Sequence, residues 1–551
     1  MNRIKKTAVL ALSLGMLTAC SGSGSGSGSA TAAPADDAEK KTSVVIAIDA
    51  DLNTMDYQYA TDGNSFIMHT LCIAGLTELD ADGVVQPDMA ESWEVSEDGL
   101  DYTFHLRDGI AWSDGTPVTA DDFVFAWRRL VDPALASEYN FLLDTAMHVE
   151  NAADVITGAQ PLEALGVAAP DEKTFTVHLS SPCGFFLGLC AFPSTFPLNQ
   201  AFFEAQGDKY AQSVENQLYN GPFVMSDRKD GSIYTFTKNP DYWNADSIDM
   251  ESISFQLIQD TQSAMMSYEN GTLDVVKLVS EQVEAYADQD GYTSNLSGFL
   301  WYISPNYTHD FLNNADLREA IMFAIDRDTI CDLVLKDGSV AARGIIPRAF
   351  AIGPDGKDYC DTTDVLVGYD PERAAAAWAR AQEALGDELT ISLLFEDSEA
   401  SKAVAENLKS MIEAACPGLT ISLDQKPKKT RLELMRSLDP SFELGLTRWG
   451  PDYADPQTYM DLFKSDVAGY NGSFSNDDYN AIVNKAENGA DAADPEARWQ
   501  DMKDAEKLLI ADLYAMIPVY QNGGAMMINP AIDGIEFHAG AVDNYRHIHN
   551  K

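Results

Sequence analysis

Between Gly75 and Leu130 the chain dictates its own turns so closely that little freedom of local structure remains. Asp82-Gly83 and Asp98-Gly99 are turn dipeptides. The residues around them alternate in polarity as strands do, over 92–95 and 101–107. Gly115-Thr116-Pro117 closes this run, and Thr119 is placed to cap a helix whose apolar side carries Phe123, Val124 and Trp127. None of these residue types is set out for catalysis, so the stretch speaks for architecture alone.

The same reading extends along the chain. Alternating or β-branched runs predict strands over 43–48, 173–179 and 250–258, a hairpin turning at Asp230-Gly231, and a strand beginning at Gly271. From Ala315 an amphipathic pattern predicts a helix with Asp316 at its start. Helix 372–385, strand 389–395, helix 400–415 and strand 420–423 then alternate as a βαβ lobe should. A helix over 495–512 and a strand over 517–520 follow. No repeat of solenoid period is present, and 551 residues exceed what one core can organise, so two or more domains are expected.

The first residues point away from the cytoplasm. Arg3, Lys5 and Lys6 precede an apolar run from Ala8 to Leu17 that is too short to cross a bilayer, and Leu17-Thr18-Ala19-Cys20 closes the segment. Residues 21–29 alternate Ser and Gly, a composition that forms a flexible coil and buries nothing. The formal charge of −49 makes nucleic acid and anionic lipid poor partners, since both require clustered Lys and Arg. Besides Cys20 the sequence holds Cys72, Cys183, Cys190, Cys331, Cys360 and Cys416, with no C-x-x-C. Disulfides, with Cys183 and Cys190 the nearest pair, and buried free thiols are both open readings.

Four blocks carry a family resemblance: W-S-D-G-T-P-V-T-A-D-D-F from Trp112, N-G-P-F-V from Asn220 running on to K-N-P-D-Y-W at Trp243, A-I-D-R from Ala324, and R-W-G-P-D-Y-A-D-P from Arg448. Together they resemble the extracytoplasmic peptide-binding proteins of ABC importers, family 5 of the bacterial solute-binding proteins. The resemblance implies an α/β fold of two lobes that close on a ligand about a hinge (the Venus-flytrap arrangement), with an extra α+β subdomain. It implies residues 41–75, 190–298 and 519–551 as the first lobe, 76–189 as the subdomain, and 299–518 as the second lobe. L-T-A-C resembles a lipobox, which makes 1–19 a leader, Cys20 the acylated N-terminus and 20–40 a tether on the outer face of the membrane. The implied partners are a peptide and the importer's permease. The implied chain is a monomer with no cofactor, metal or catalytic residue.

The same resemblance supplies candidate ligand-binding residues. A peptide's α-ammonium loses water on enclosure, and a carboxylate is needed to compensate. The family pattern supplies it from the position matched by Asp452, with Trp449 walling the amine pocket. On local chemistry alone, Asp452 and Asp455 read equally as turn residues before Pro456. The loop Thr61-Asp62-Gly63-Asn64 stands where relatives offer backbone to the peptide, with Gly63 allowing close approach or simply making a turn. Tyr139 stands where relatives place an aromatic against the ligand, and a core tyrosine is the other reading. Some relatives hold the ligand's carboxylate with cations of the second lobe. Here the stretch after Trp301 offers only His309; Arg431 and Arg436 are out of clear register, and Arg448 stands where relatives often have a small residue.

H-E-x-x-H, G-x-S-x-G and a Walker loop are missing. With Gly83 as the sixth residue of a calcium loop, the twelfth is Met89 where a bidentate Glu is needed, so a hairpin turn is expected. His547 and His549 read as part of a solvated tail. The alternatives are a same-fold binder of a metal chelate or other small solute, a pheromone receptor, and, from a different class, a secreted hydrolase.

Overall fold

A sheet of eleven strands runs through the whole of the folded part, and its order explains how two lobes come from one chain. The computed structural model describes residues 40–551 apart from 440, 452, 466 and 468–470. Cys20 and Asp452 therefore lie outside the described residues. Residues 41–551 form one compact unit. No helix among the described residues is long and apolar enough to cross a membrane.

The elements that position the cleft are few. β1 (Ser43–Ile48) leads through Asp62 into α1 (Gly63–Cys72). A separate four-stranded sheet holds β2 (Ala90–Val95), β3 (Asp101–Leu106), β4 (Val167–Asp171) and β5 (Thr174–His178), in the order β2-β3-β5-β4. Helix α2 (Ala120–Leu130) packs on it. This is the extra α+β subdomain. The chain then returns to the large sheet with β6 (Phe223–Lys229), β7 (Ile233–Lys238), β8 (Ser252–Leu257) and β9 (Val275–Lys277). The long β10 (Tyr292–Pro305) leads to α3 (Ala315–Ala324), α4 (Pro371–Leu385), β11 (Leu389–Glu396), α5 (Glu399–Ala415), β12 (Leu419–Lys426) and β13 (Leu444–Trp449). Helix α6 (Pro495–Lys507) and the long β14 (Ile517–Ile528) complete the set.

The large sheet is ordered β12-β11-β13-β10-β14-β9-β1-β8-β7-β6, with a short strand Val340–Ala341 beside β14. β10 and β14 are shared by both lobes. Their first-lobe halves pair from Tyr292 with Met527 to Leu296 with Gly523, and their second-lobe halves from Leu300 with Gln521 to Ile303 with Ile517. Between them residues 297–299 bulge opposite Asn522, which breaks the register at the point where the lobes meet. The bulge is tied down by side chains: Trp301 donates to Asn522 Oδ1 at 2.7 Å and Gln521 Nε2 donates to the Ser297 carbonyl at 3.0 Å. The two most extensive hydrophobic cores among the described residues lie on either side of this hinge, one joining the first lobe to the subdomain and one inside the second lobe.

Local sequence explains the elements. In β1 the pattern buries Val44, Ile46 and Ile48, and the strand runs parallel to β8 with Val44 beside Ile253. Thr119 and Asp122 form a capping box at the start of α2. Asp370 caps α4, which has Pro371 at its first position and Gly386 at φ +90° after its last. The turn at Asp82-Gly83 is a hairpin turn: Asp80 Oδ1 accepts from the Asp82 and Val84 amides, and Gly83 has φ +76°.

Several expectations are corrected. The segment at Thr61–Asn64 is not a plain loop, because α1 already begins at Gly63. The strand expected over 517–520 continues to Ile528, and the helix expected to reach 512 ends its α-helical part at Lys507, with a π turn beyond. The C-terminal residues are not a solvated tail. Tyr545, Arg546 and Ile548 are buried, and His549–Asn550 pairs with Ile532–Asp533. All six described cysteines are free, and all but Cys360 are buried.

Candidate functional site

The cleft between the lobes contains two adjoining chambers. The first, of about 640 Å³, opens at the carboxyl end of β1, where ligands of open α/β sheets bind. The first lobe contributes Asp49, Gly63, Ile67, Lys277 and the Gly523–Met526 part of β14, and the hinge and second lobe contribute Phe299 and Pro451. The second, of about 590 Å³, lies between the subdomain, the second lobe and the C-terminal segment. The two share Phe192, His538, Gly540, Ala541 and Val542 as a common wall.

Close backbone approach at the hinge builds the floor. A Cβ on Gly298 would strike the Ala539 carbonyl and the Pro451 ring, so only glycine lets the site loop and C-terminal segment meet there. The Tyr459 hydroxyl donates to the Gly298 carbonyl from the second lobe. His538 stands in the common wall with Nδ1 3.0 Å from the Val542 carbonyl and Nε2 2.8 Å from the Asp80 carbonyl. It thereby joins the C-terminal segment to the subdomain's first hairpin. Burial pushes the carboxyl of Asp543, in the first chamber, above its ordinary range.

The residues singled out in sequence fall into different places. Gly63 lines the first chamber, with open space where a Cβ would stand. Asp62 acts on its own helix: Oδ1 accepts from the Ser65 amide at 2.9 Å and Oδ2 from the Ser65 hydroxyl at 2.6 Å, which is an N-cap. Tyr139 lines the first chamber and also packs, stacked on Phe192 at 5.2 Å and edge-on to Phe66 at 5.2 Å. Trp449 ends β13 opposite Leu300 and packs against the second-lobe core, lining neither chamber. His309, Arg431, Arg436 and Arg448 also line neither. Arg431 is buried against Glu396 at 3.0 Å, and Arg448 lies over the Phe299 ring at 4.7 Å.

The loop after β13 is held by residues that the sequence did not mark. Arg498, on α6, makes a two-pronged ion pair with Asp455 at 2.6 and 2.8 Å, and both side chains are 7% exposed. Burial alone would lower the guanidinium's pKa, but Asp455 outweighs it and the net shift is upward. Asp455 also accepts from the Gln457 amide at 2.9 Å, so its carboxylate serves the loop and not a ligand. Tyr453 stacks on Phe185 of the subdomain at 4.3 Å with the rings 5° from parallel, and Arg498 lies 5.6 Å from the same Phe185 ring. Eight residues further along α6, Glu506 is buried without a cation. It accepts from the Ile345 and Ile346 amides at 2.7 and 3.3 Å, and burial pushes its carboxyl up to about 7.

Comparison with known proteins matches this architecture. The family model described as bacterial extracellular solute-binding proteins, family 5 middle, matches residues 84–471. A dipeptide-binding protein of Lactococcus lactis subsp. cremoris is 32% identical over 97% of this chain and 96% of its own length. The substrate-binding domain of an oligopeptide ABC transporter from Bacillus anthracis is 35% identical over 93% of this chain and 99% of that one, with a TM-score of 0.72. Listeria monocytogenes OppA bound to peptide is 32% identical over the same shares, 93% and 99%, also with a TM-score of 0.72.

Proposed function

Because the chain belongs to the bacterial extracellular solute-binding proteins of family 5, we propose that it is a lipid-anchored receptor which encloses peptides between its lobes and delivers them to an ABC permease. The observation that carries this reading is the first chamber, whose walls come from both lobes across a two-strand hinge. A ligand that touches both walls favours the closed arrangement by its extra contacts there, and so couples capture to a change of shape that a permease can recognise. The names of the relatives, dipeptide-binding and oligopeptide-binding, support a peptide as that ligand. The family is one of binding proteins for transport, and this chain's part is to bind and hand over without chemical change.

Asp452 is the proposed acceptor of the peptide's α-ammonium, three residues before the Asp455 that Arg498 holds. Gly63 and Tyr139 are proposed to flank the peptide from the first lobe. Asp62 is proposed to contribute through the helix start that it caps, and Trp449 as support under the loop. The lobe divisions are proposed at residues 298–299 and at Asn522, a few residues beyond the 518–519 expected from the sequence, with the subdomain over 76–189. Cys20 is the proposed site of lipidation, with 20–40 as tether to the outer face of the membrane, and the receptor is proposed to act as a monomer.

Calorimetric titration of the tether-less protein with a mixed pool of short peptides tests the reading. Asp452→Ala, or N-acetylation of the pool, is expected to cost about 3–5 kcal/mol, two to nearly four decades of affinity. Binding indifferent to both changes would remove Asp452 from the site. Absence of any peptide binding would remove the peptide.

A further inference from the structure

We propose that Glu506 and Gln521 are positioning residues of the hinge, and that protonation of Glu506 makes enclosure of the ligand depend on pH. This rests on the reading of the chain as a receptor that closes its lobes on a ligand, and on no particular contact to that ligand. Both side chains are buried. Both border one cavity of about 40 Å³ on the second-lobe side of the hinge, apart from the two chambers.

A short relay of hydrogen bonds joins them. Glu506 Oε1 accepts from the Ile345 and Ile346 amides, and a Cβ on Gly344 would strike that oxygen, so the glycine lets the loop reach the carboxyl. Two residues on from Ile346, the Arg348 amide donates to Gln521 Oε1 at 2.9 Å, and the Arg348 carbonyl accepts from Gln521 Nε2 at 2.8 Å. The same Nε2 donates to the Ser297 carbonyl in the bulge. Ser297, Gly298 and Phe299 line the first chamber, whereas Gln521 does not. A shift of the 344–348 loop is therefore passed to the chamber wall through one side chain.

Charge on Glu506 is what shifts the loop. Burial favours its neutral form, and the groups facing it supply no counter-ion. Tyr359 and Cys360, from the segment before α4, and Tyr479, from helix Asp477–Glu487, are themselves held neutral by burial. Of the charged groups bordering the cavity, Arg343 pairs with Asp328 at 2.6 Å and Arg348 with Asp361 at 3.2 Å, while Asp364 adds a negative charge. An ionised Glu506 is thus a buried charge without a partner. The cavity has room for a water molecule, and a carboxylate that turns toward it gives up its loop amides. The proton keeps the clasp on Gln521 and its loss slackens it. Affinity for a ligand that needs the lobes closed then falls as pH rises from the ordinary glutamate range through about 7.

The experiment titrates the tether-less protein and its Glu506→Gln variant with a mixed pool of short peptides at pH 5 and pH 8. Glu506→Gln keeps an oxygen for both loop amides and shares every other titrating group, the peptide amine included. Between the two pH values the wild type is expected to lose at least about fivefold more affinity than Glu506→Gln does. Gln521→Met cuts the relay beyond the titrating group. It is expected to lose this excess pH dependence of binding while urea denaturation keeps that of stability, a split that a merely structural role of Glu506 does not produce. Hydrogen exchange of residues 344–349 gives a readout without peptide: the wild type is expected to be less protected than Glu506→Gln at pH 8 and equally protected at pH 5. Equal affinity ratios in the wild type and Glu506→Gln, or an excess that survives Gln521→Met, overturn the relay. If no peptide binds at either pH, the peptide reading has failed, and equal protection of the two proteins at pH 8 then overturns the relay by itself.

Discussion

Arg498 with Asp455 and Arg546 with Asp88 are both buried pairs at the edge of the cleft, yet they are built differently. Arg498 meets one carboxylate with two prongs, and Gln457 Oε1 accepts a further bond at 2.8 Å, all within the second lobe. Arg546 divides itself among Asp88, Glu78 and the Thr70 carbonyl, while Tyr242 and Trp243 donate to Asp88 from another segment. The first clamp shapes one loop. The second joins the C-terminal segment to residues 458 positions earlier, so three parts of the chain depend on it. Burial pushes the Asp88 carboxyl upward in spite of Arg546. Similar chemistry thus serves a local purpose in one place and an architectural one in the other.

The difference can be broken most directly at Arg546. Arg546→Ala leaves Asp88 and Glu78 without their buried guanidinium and is expected to cost about 3–5 kcal/mol in urea denaturation. Amides of the C-terminal segment should lose protection from hydrogen exchange as well. Asp455→Ala is expected to cost less, about 3 kcal/mol, because Arg498 retains Gln457 and the Phe185 ring. Combining it with Arg498→Met should recover most of that loss. If the two single substitutions cost the same, a shared network is worth no more than an isolated pair.

Glu506 sharpens the comparison, being a buried carboxylate without an arginine. Its folded-state pKa of about 7 lies above the ordinary 4.5, so the folded chain holds this proton more tightly than the unfolded one. The resulting stability is complete below the ordinary glutamate value and is lost as pH rises from there to about 7. Glu506→Gln removes the titration, and relative to wild type it is expected to gain about 2–3 kcal/mol between pH 5 and pH 8. Equal pH profiles for the two proteins would mean that the carboxyl is not held neutral. The smallest effect is expected from Glu284→Gln, since the pair with Lys336 spans the lobes at 3.3 Å but is exposed, with a change within about 0.5 kcal/mol.

What could be read in the sequence was what neighbouring residues decide. Asp82-Gly83, Asp98-Gly99 and Asp230-Gly231 all turn the chain through a glycine at positive φ, and Thr119 caps its helix as expected. The capping signal at Asp62 was present too, with Ser65 three residues on, but the glycine between them suggested a loop. The long hinge strands were hidden because Ser297-Gly298 and Gly523-Gly524 interrupt their apolar pattern at the place where the lobes change over. Arg498 and Phe185 could not be found, since their importance depends on partners brought near only by folding. The same holds for the second chamber, whose lining runs from Thr70 to Arg546.

The six unbridged thiols among the described residues give the molecule a memory. In the folded state burial pushes Cys183, Cys331 and Cys416 up to about 12, so they carry almost no thiolate at neutral pH. An unfolded chain returns them to about 8.5, where attack on an external oxidant becomes fast, followed by attack of a second thiolate on the first, now oxidised, sulfur. In the oxidising surroundings outside a cytoplasm, opening the fold even once can therefore be recorded as a covalent cross-link. Its durability there is set by how rarely it opens, more than by how stable it is when closed.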